Sequence, residues 1–317
     1  MPAISDRVCV LAESWRLIAD NRAMSQTIDE GVSRRPVAEC TAAEVADALT
    51  KSFEGYVMPV NVTARGYEGR FRPENVDPFA SYVYSREAGP VAVVLVARRG
   101  WTSRIAAMAV GPEARGRGLG KAILQNSIGE ALERDDRSVL LEVFAHNTSA
   151  VKLYEGLGFR RVRKLLGYHH DRRGTAPGAV DALAELDPLD FARVVACEGE
   201  PGLPWMLAAE TLSGSVSPAR AFHLDHRAYA LLGDPEANAI HLVALVVPRA
   251  HRRNGWGTRL MQALFVRYPD KAWSIPQIIP EELAPAFFTR CGWELMNTNQ
   301  LEMVLDLTQR SEHRSDD

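Results

Sequence analysis

Cysteine is scarce and scattered: Cys9, Cys40, Cys197 and Cys291 are the four in 317 residues, with no CxxC pair and no Cys/His ligand spacing. A disulfide framework and a structural zinc site are therefore not expected, and a reducing cytoplasm fits best. Long hydrophobic runs are missing too. The longest, Val91–Ala97 and Leu242–Val247, are strand-length, far short of the ~20 residues that span a bilayer. The first fifteen residues lack the basic flank and apolar block of a secretory signal, so neither export nor a membrane span is expected. An excess of basic charge is also absent. The formal net charge is −3, so a nucleic-acid partner is not expected and any anion site must be local.

What is present is the mix of an ordinary globular protein, 46% hydrophobic and 24% charged, long enough for about two domains. Residues 1–34 read as an extension. A strand-like Pro36–Cys40 follows. Thr41, with Glu44 three residues on, has the spacing of a capping box and starts a helix through Ala43–Phe53. Val91–Arg98 and Arg104–Val110, joined across Gly100, predict a hairpin. A glycine-rich turn at 111–120 leads into a helix reaching about Arg134. Val139–Phe144 is another strand, 147–157 a short helix closed by Gly158, and Phe159–Leu166 a returning strand.

The residues 171–178, charged and then rich in Gly and Pro, read as a linker, after which the same grammar returns. Ala228–Leu232 and Ala239–Val247 form a second strand pair, and Pro248–Gly257 a second glycine-containing turn before a helix. Gly118 and Gly255 lie 137 residues apart, Tyr154 and Phe288 lie 134 apart. Two landmarks at nearly one offset point to duplication of a whole α+β domain, the offset being too long for a solenoid repeat. The expected layout is an extension 1–34, a first domain 35–172, a linker 173–180, a second domain 181–308 and a tail 309–317.

A strand, a glycine turn bearing Arg115, Arg117 and Lys121, and then a helix suit an anion cradle, or equally a turn that only opens a surface helix. The first helical turn leaves about four N–H groups unpaired at a positive dipole end, and glycines let a phosphate come close to them. Two well-known phosphate patterns fail here. A Walker loop needs Ser or Thr where Ala122 stands, and a dinucleotide GxGxxG needs glycine where Lys121 stands.

The pattern Val110-x-Pro112-x-x-Arg115-Gly116-x-Gly118-x-Gly120 instead resembles the acyl-CoA pyrophosphate loop of the GNAT superfamily of N-acyltransferases. About 30 residues later, Leu141-Glu142-Val143, Asn147, Ala150 and Leu153-Tyr154-Glu155-x-x-Gly158-Phe159 are similar to that superfamily's next motif, with the spacing of ribosomal-protein N-terminal acetyltransferases. The resemblance implies two tandem α+β domains, each a mixed, mostly antiparallel sheet flanked by helices. It implies acetyl-CoA as co-substrate, no metal, and transfer to a small-molecule or peptide amine by direct attack.

By the same resemblance Arg115, Gly116, Arg117, Gly118, Leu119, Gly120 and Lys121 hold the pyrophosphate, and the backbone of Met108, Ala109 and Val110 bonds the pantetheine. Tyr154 would protonate the departing thiolate, although its place on the apolar face Ala150, Leu153, Tyr154, Leu157 also suits a core residue. Asn147 matches a CoA-contacting asparagine and equally a helix cap. Glu142, a lone carboxylate in an apolar strand, would serve as general base or else pair with an arginine. Phe53 and Tyr56 would wall the acceptor site or fill the core. The basic run Arg160, Arg161, Arg163, Lys164, Arg172 and Arg173 is a solvated edge or the seat of an acidic partner.

The second domain is expected to be degenerate. Phe288 replaces the tyrosine, no glutamate matches Glu142, and Pro276 and Pro280 interrupt the matching strand. Its loop reads one residue longer between proline and arginine, and Trp256 is placed to crowd the opening, with residual CoA binding left to Arg252 and Arg253. The alternative function is a non-catalytic acyl-CoA-binding regulator.

Overall fold

The computed structural model describes residues 31–56, 60–171, 182–283 and 285–308; the expected linker, the tail and all but the end of the extension lie outside them. The first repeat runs β1 (Ser33–Pro36), α1 (Ala42–Ser52), α2 (Ala64–Phe71), β2 (Tyr82–Arg86), β3 (Gly89–Arg99), β4 (Thr102–Val110), α3 (Leu119–Glu133), β5 (Ser138–Phe144), α4 (Thr148–Gly156) and β6 (Arg160–His170). The second runs β7 (Ala184–Leu186), α5 (Pro188–Glu198), α6 (Ala209–Leu212), β8 (Arg220–Leu224), β9 (Ala228–Leu232), β10 (Ala239–Val246), α7 (Trp256–Arg267), β11 (Ala272–Pro280), α8 (Pro285–Arg290) and β12 (Glu294–Asp306).

The twelve strands among the described residues join one sheet, in the order β1-β2-β3-β4-β5-β12-β6-β11-β10-β9-β8-β7. Among the described residues only β4 with β5 and β10 with β11 run parallel. The centre holds an exchange. β12, from the second repeat, lies between β5 and β6 of the first, while β6 lies against β11 of the second.

Helices cover both faces. In the first repeat α3 and α4 press Ile123, Leu124, Val151 and Tyr154 onto Val94, Ile105, Leu141 and Val143. On the other face α1 sets Val45, Ala48 and Leu49 against Val93, Leu95 and Ala109. This alternation along β3 is the period-2 signature of a strand buried on both sides. The exchanged β12 contributes Met303 and Leu305 to the α3/α4 core, so it completes that core as well as the ladder. In the second repeat α7 and α5 cover the two faces in the same way.

The capping box forms: Thr41 Oγ1 accepts from the Glu44 amide at 3.3 Å and Glu44 accepts from the Thr41 amide at 2.7 Å. Arg35 at 2.6 Å, with the donations from the Thr41 amide and from the Thr41 hydroxyl at 2.9 Å, holds the Glu44 carboxyl down at about 2. The N-terminal boundary differs from expectation, since β1 begins at Ser33 within the residues read as extension. Residues 37–39 are a single 3-10 turn rather than strand, because Val37 turns into the core and its amide bonds the Ser81 carbonyl at 2.8 Å.

Candidate active site

After β4 the chain makes a 3-10 turn at Pro112–Ala114 and reaches Gly116 and Gly118 at φ +75° and +83°. Gly118 is the left-handed N-cap of α3, and the first intrahelical bond is donated by Ala122 to its carbonyl. The N–H groups of Leu119, Gly120 and Lys121 therefore precede the ladder and face outward. A Cβ at Gly116 or Gly118 would meet open space, so backbone conformation alone calls for glycine there. At Gly120 a Cβ would touch Met108 and Val110 at 3.5 and 3.6 Å, which marks how closely α3 lies on β4. Leu119 is buried in the core. Arg117 and Lys121 are exposed and pair with no carboxylate among the described residues.

Arg115 has a different occupation. Its Nε donates to the Val110 carbonyl at 2.8 Å and its Nη2 to the carbonyls of Glu54 at 2.6 Å and Ser52 at 3.5 Å. The guanidinium thus ties the end of β4 to the segment after α1. In that segment Phe53 and Tyr56 meet edge to face at 5.2 Å.

The β4–β5 ladder runs from Thr102↔Ser138 to Ile105↔Leu141 and stops. Beyond it β4 bulges at Ala106 and stays paired with β3 through Val110. Ala107, Met108, Ala109 and Val110 therefore turn one backbone edge toward a gap between two parting strands. Such an edge accepts an extended ligand as an added strand.

Tyr154, 8% exposed, packs edge-on to Phe159 at 5.9 Å. Burial, and then Tyr56, push its phenol well above the usual range, so it keeps its proton at neutral pH. Asn147 caps α4, accepting from the Ala150 amide at 3.3 Å and the Ser149 hydroxyl at 3.0 Å.

Glu142 is not free. Arg104 Nε donates to both its oxygens, at 3.1 and 2.8 Å, and Arg104 Nη2 lies 2.7 Å from Oε2. The same arginine reaches Glu74 at 2.6 Å. Glu302 of β12 stands opposite Glu142 in register and bonds Arg163 of β6 at 2.5 Å. The four side chains Glu74, Arg104, Glu142 and Glu302 are only 1–8% exposed. These ion pairs drive the Arg104 guanidinium above its ordinary range despite burial. Arg104, Glu74 and Glu302 escaped the sequence reading. Glu302, a single carboxylate within Leu301-Glu302-Met303-Val304-Leu305, carries the signal that drew attention to Glu142. The basic run on β6 is largely neutralised: Arg161 pairs with Glu155, Arg163 with Glu302 and Lys164 with Glu281.

The second repeat copies the scaffold. Its ladder parts after His241↔Ser274, with a bulge at Val243, and Pro276 falls in a break of register between β11 and β6. Arg253 takes the φ +63° corresponding to Gly116 and Gly255 the +78° corresponding to Gly118. These equal offsets correct the expectation of a longer loop: Pro248 occupies the position of Gly111, and nothing is inserted. Trp256 does not crowd the opening either, since it is buried in the core where Leu119 lies in the first repeat. Phe288 stacks on Tyr168 at 4.4 Å.

Residues 44–159 match the family model described as the acetyltransferase (GNAT) family. The first repeat is a GNAT domain. Over 84 residues the chain is 36% identical to the [ribosomal protein bS18]-alanine N-acetyltransferase of Escherichia coli K12, a match covering 26% of this chain and 54% of that protein. The chain thus spans about half the length of that relative. Two solved structures share the tandem architecture. A GCN5-related N-acetyltransferase from Sphaerobacter thermophilus gives a TM-score of 0.65 at 18% identity, over 89% of this chain and 97% of its own. A tandem GNAT protein from the clavulanic acid biosynthesis pathway gives 0.61 at 17%, over 87% and 98%. The fold is therefore a pair of GNAT domains. No helix among the described residues is long and apolar enough to cross a membrane.

Proposed function

We propose that this chain is a cytoplasmic, acetyl-CoA-dependent N-acetyltransferase whose first repeat carries the reaction. The observation behind this reading is Tyr154, a protonated phenol buried in the core that Met108, Val110 and Val143 join from β4 and β5, against Phe288 at the matching place. The exposed Arg117 and Lys121, with the N–H groups opening α3, suit a pyrophosphate. The edge of Met108–Val110 suits pantetheine, and a β4 amide aimed at the carbonyl oxygen stabilises the developing oxyanion. The deprotonated amine attacks the thioester carbon, a C–N bond forms, the C–S bond breaks, and Tyr154 gives its proton to the leaving sulfur. The proton the amine must first lose goes to one carboxylate of the buried cluster around Arg104. The acceptor is an amine, and the α-amino group of a peptide is the first class to test, since the curated relative acts on a protein alanine.

The test is thiol release from acetyl-CoA across a panel of peptide and small amines. Wild type should turn over at least one acceptor. Tyr154→Phe should lose about 10²-fold or more in turnover, the range for a general acid, with CoA affinity and melting temperature nearly unchanged. Tight CoA binding with no thiol release on any amine would make the chain an acyl-CoA-binding regulator instead.

A further inference from the structure

We infer that the second repeat supplies the first with its proton acceptor: Glu302 on the exchanged strand β12, directly opposite Glu142, takes the proton from the incoming amine. The inference rests on the acetyltransferase reading above and goes further, by naming the base and the element that brings it.

Position comes first. The β4–β5 ladder ends at Leu141, so Glu142 is the first residue of β5 past the point where the strands part. Glu302 pairs with Glu142 across the antiparallel β5–β12 ladder. Their neighbours Leu141, Val143, Met303 and Leu305 all lie in the α3/α4 core. Both carboxylates therefore stand on the opposite face, that of α1 and α2, level with the mouth of the gap.

The two acids are held differently. Arg104 grips both oxygens of Glu142 and leans on Glu74 as well. Glu142 is thus the closest counter-charge of a buried guanidinium and is engaged through both oxygens. Glu302 has one arginine contact, from Arg163 Nε, while Arg163 Nη2 is spent on the Gly202 carbonyl at 2.8 Å. Arg163 is 21% exposed, so water takes over its charge when Glu302 becomes neutral. Like charges directly opposed on neighbouring strands repel, and the less tightly held member is the one to take up a proton. Burial, abetted by the Glu142 charge, lifts the Glu302 carboxyl above its ordinary value. The charged groups facing it are Arg163 on β6, Glu142 on β5 and, behind that, Arg104 on β4 with Glu74. From the second repeat, the Gly202 carbonyl and the Trp205 indole, which donates to the Glu74 carbonyl at 2.9 Å, are both uncharged.

The protons then balance. The ammonium acceptor gives one proton to the Glu302 carboxylate, which passes it to solvent. The neutral nitrogen bonds to the carbonyl carbon as the C–S bond breaks, and Tyr154 protonates the thiolate. The second proton lost by the nitrogen restores Tyr154. One acetamide, one thiol and one released proton result.

The experiment compares full-length wild type, Glu302→Gln, Glu302→Asp and Glu142→Gln in thiol release from pH 5.5 to 9. Glu302→Gln should lose about 10²-fold in kcat, within the range for general-base loss, and with it the fall in rate on the acidic side. Glu302→Asp should keep that acidic limb at a reduced rate, and Glu142→Gln should keep it with less than a tenfold loss. Turnover of Glu302→Gln within twofold of wild type with an unchanged limb, or loss of the limb in Glu142→Gln, overturns the proposal. Titration of 13C-labelled glutamate carboxyls in the wild-type protein, assigned through Glu302→Asp, decides the matter without turnover. Glu302 titrating at or below about 4.3, the ordinary glutamate value, overturns it even if no amine is a substrate; absence of turnover alone sinks only the acetyltransferase reading.

Discussion

Arg252 repeats for Val247 what Arg115 does for Val110, 137 residues earlier in the chain. Each Nε donates to a carbonyl at the end of its strand or one residue past it, at 3.0 and 2.8 Å, and each Nη2 reaches 2.6 Å to a backbone carbonyl near the end of the first long helix, Glu198 or Glu54. The arginine of the shared Arg-x-x-Gly-x-Gly pattern is therefore a clamp in both repeats. Its retention in the second is no sign that a pyrophosphate binds there.

A clamp and a phosphate ligand respond differently to substitution. Lysine at position 115 keeps the charge but cannot bridge those carbonyls together. Arg115→Lys is expected to lower stability by about 1–3 kcal/mol and leave CoA affinity within threefold of wild type. Lys121→Ala should weaken CoA binding by about tenfold, or ~1.4 kcal/mol, and flatten its salt dependence. Calorimetry at two salt concentrations reads both effects, and the reverse ranking would return Arg115 to the pyrophosphate.

Arg104 is the keystone of the buried charges. Arg104→Met leaves Glu74 and Glu142 without their shared cation and should cost about 3–5 kcal/mol in chemical denaturation. Adding Glu142→Leu removes one stranded charge. The double variant should therefore be more stable than the single one, and a double variant losing the simple sum of the two costs would show that the pair is not coupled.

Glu302 also links stability to pH. Below the ordinary carboxylate range both folded and unfolded chains hold its proton. As pH rises through the lifted value, the unfolded chain gives up the proton more readily, so folding loses ground. The stability of Glu302→Gln relative to wild type should therefore improve between pH 4.5 and 7.5, measured by urea midpoints. A relative stability that falls over that window would place the carboxyl below its ordinary value.

Phe288→Tyr tests whether a hydroxyl alone restores the second repeat. The ring is buried against Tyr168, so the added hydroxyl enters apolar packing and should cost about 1–3 kcal/mol without conferring turnover on a Tyr154→Phe background. Restored thiol release would show that the second repeat was one atom short of an active site.

Local chemistry was the legible part of the chain. Thr41 and Glu44 announce their capping box, Asn147 its helix cap and Gly158 its left-handed turn, each within a few residues of its partner. The loop comparison misled because Pro248 aligns by type with Pro112 and by geometry with Gly111. Partnerships across long separations were out of reach. Arg104 is 38 residues from Glu142 and Arg163 is 139 from Glu302. The β12 strand had no counterpart in the sequence reading, and the pattern of Leu301–Leu305 is the same whichever strands flank it.

The central exchange sets a schedule for synthesis. β5 and β12 are about 150 residues apart in the chain, which at roughly 5–20 residues per second separates their emergence from the ribosome by about ten seconds or more. Throughout that wait β5 has an open edge, Leu141 and Val143 lack Met303 and Leu305 beside them, and nascent chains crowded on one message can pair with each other's edges. Slowing translation of the second repeat should therefore raise the yield of intertwined dimers, and Glu302 cannot stand beside Glu142 before the second repeat is made.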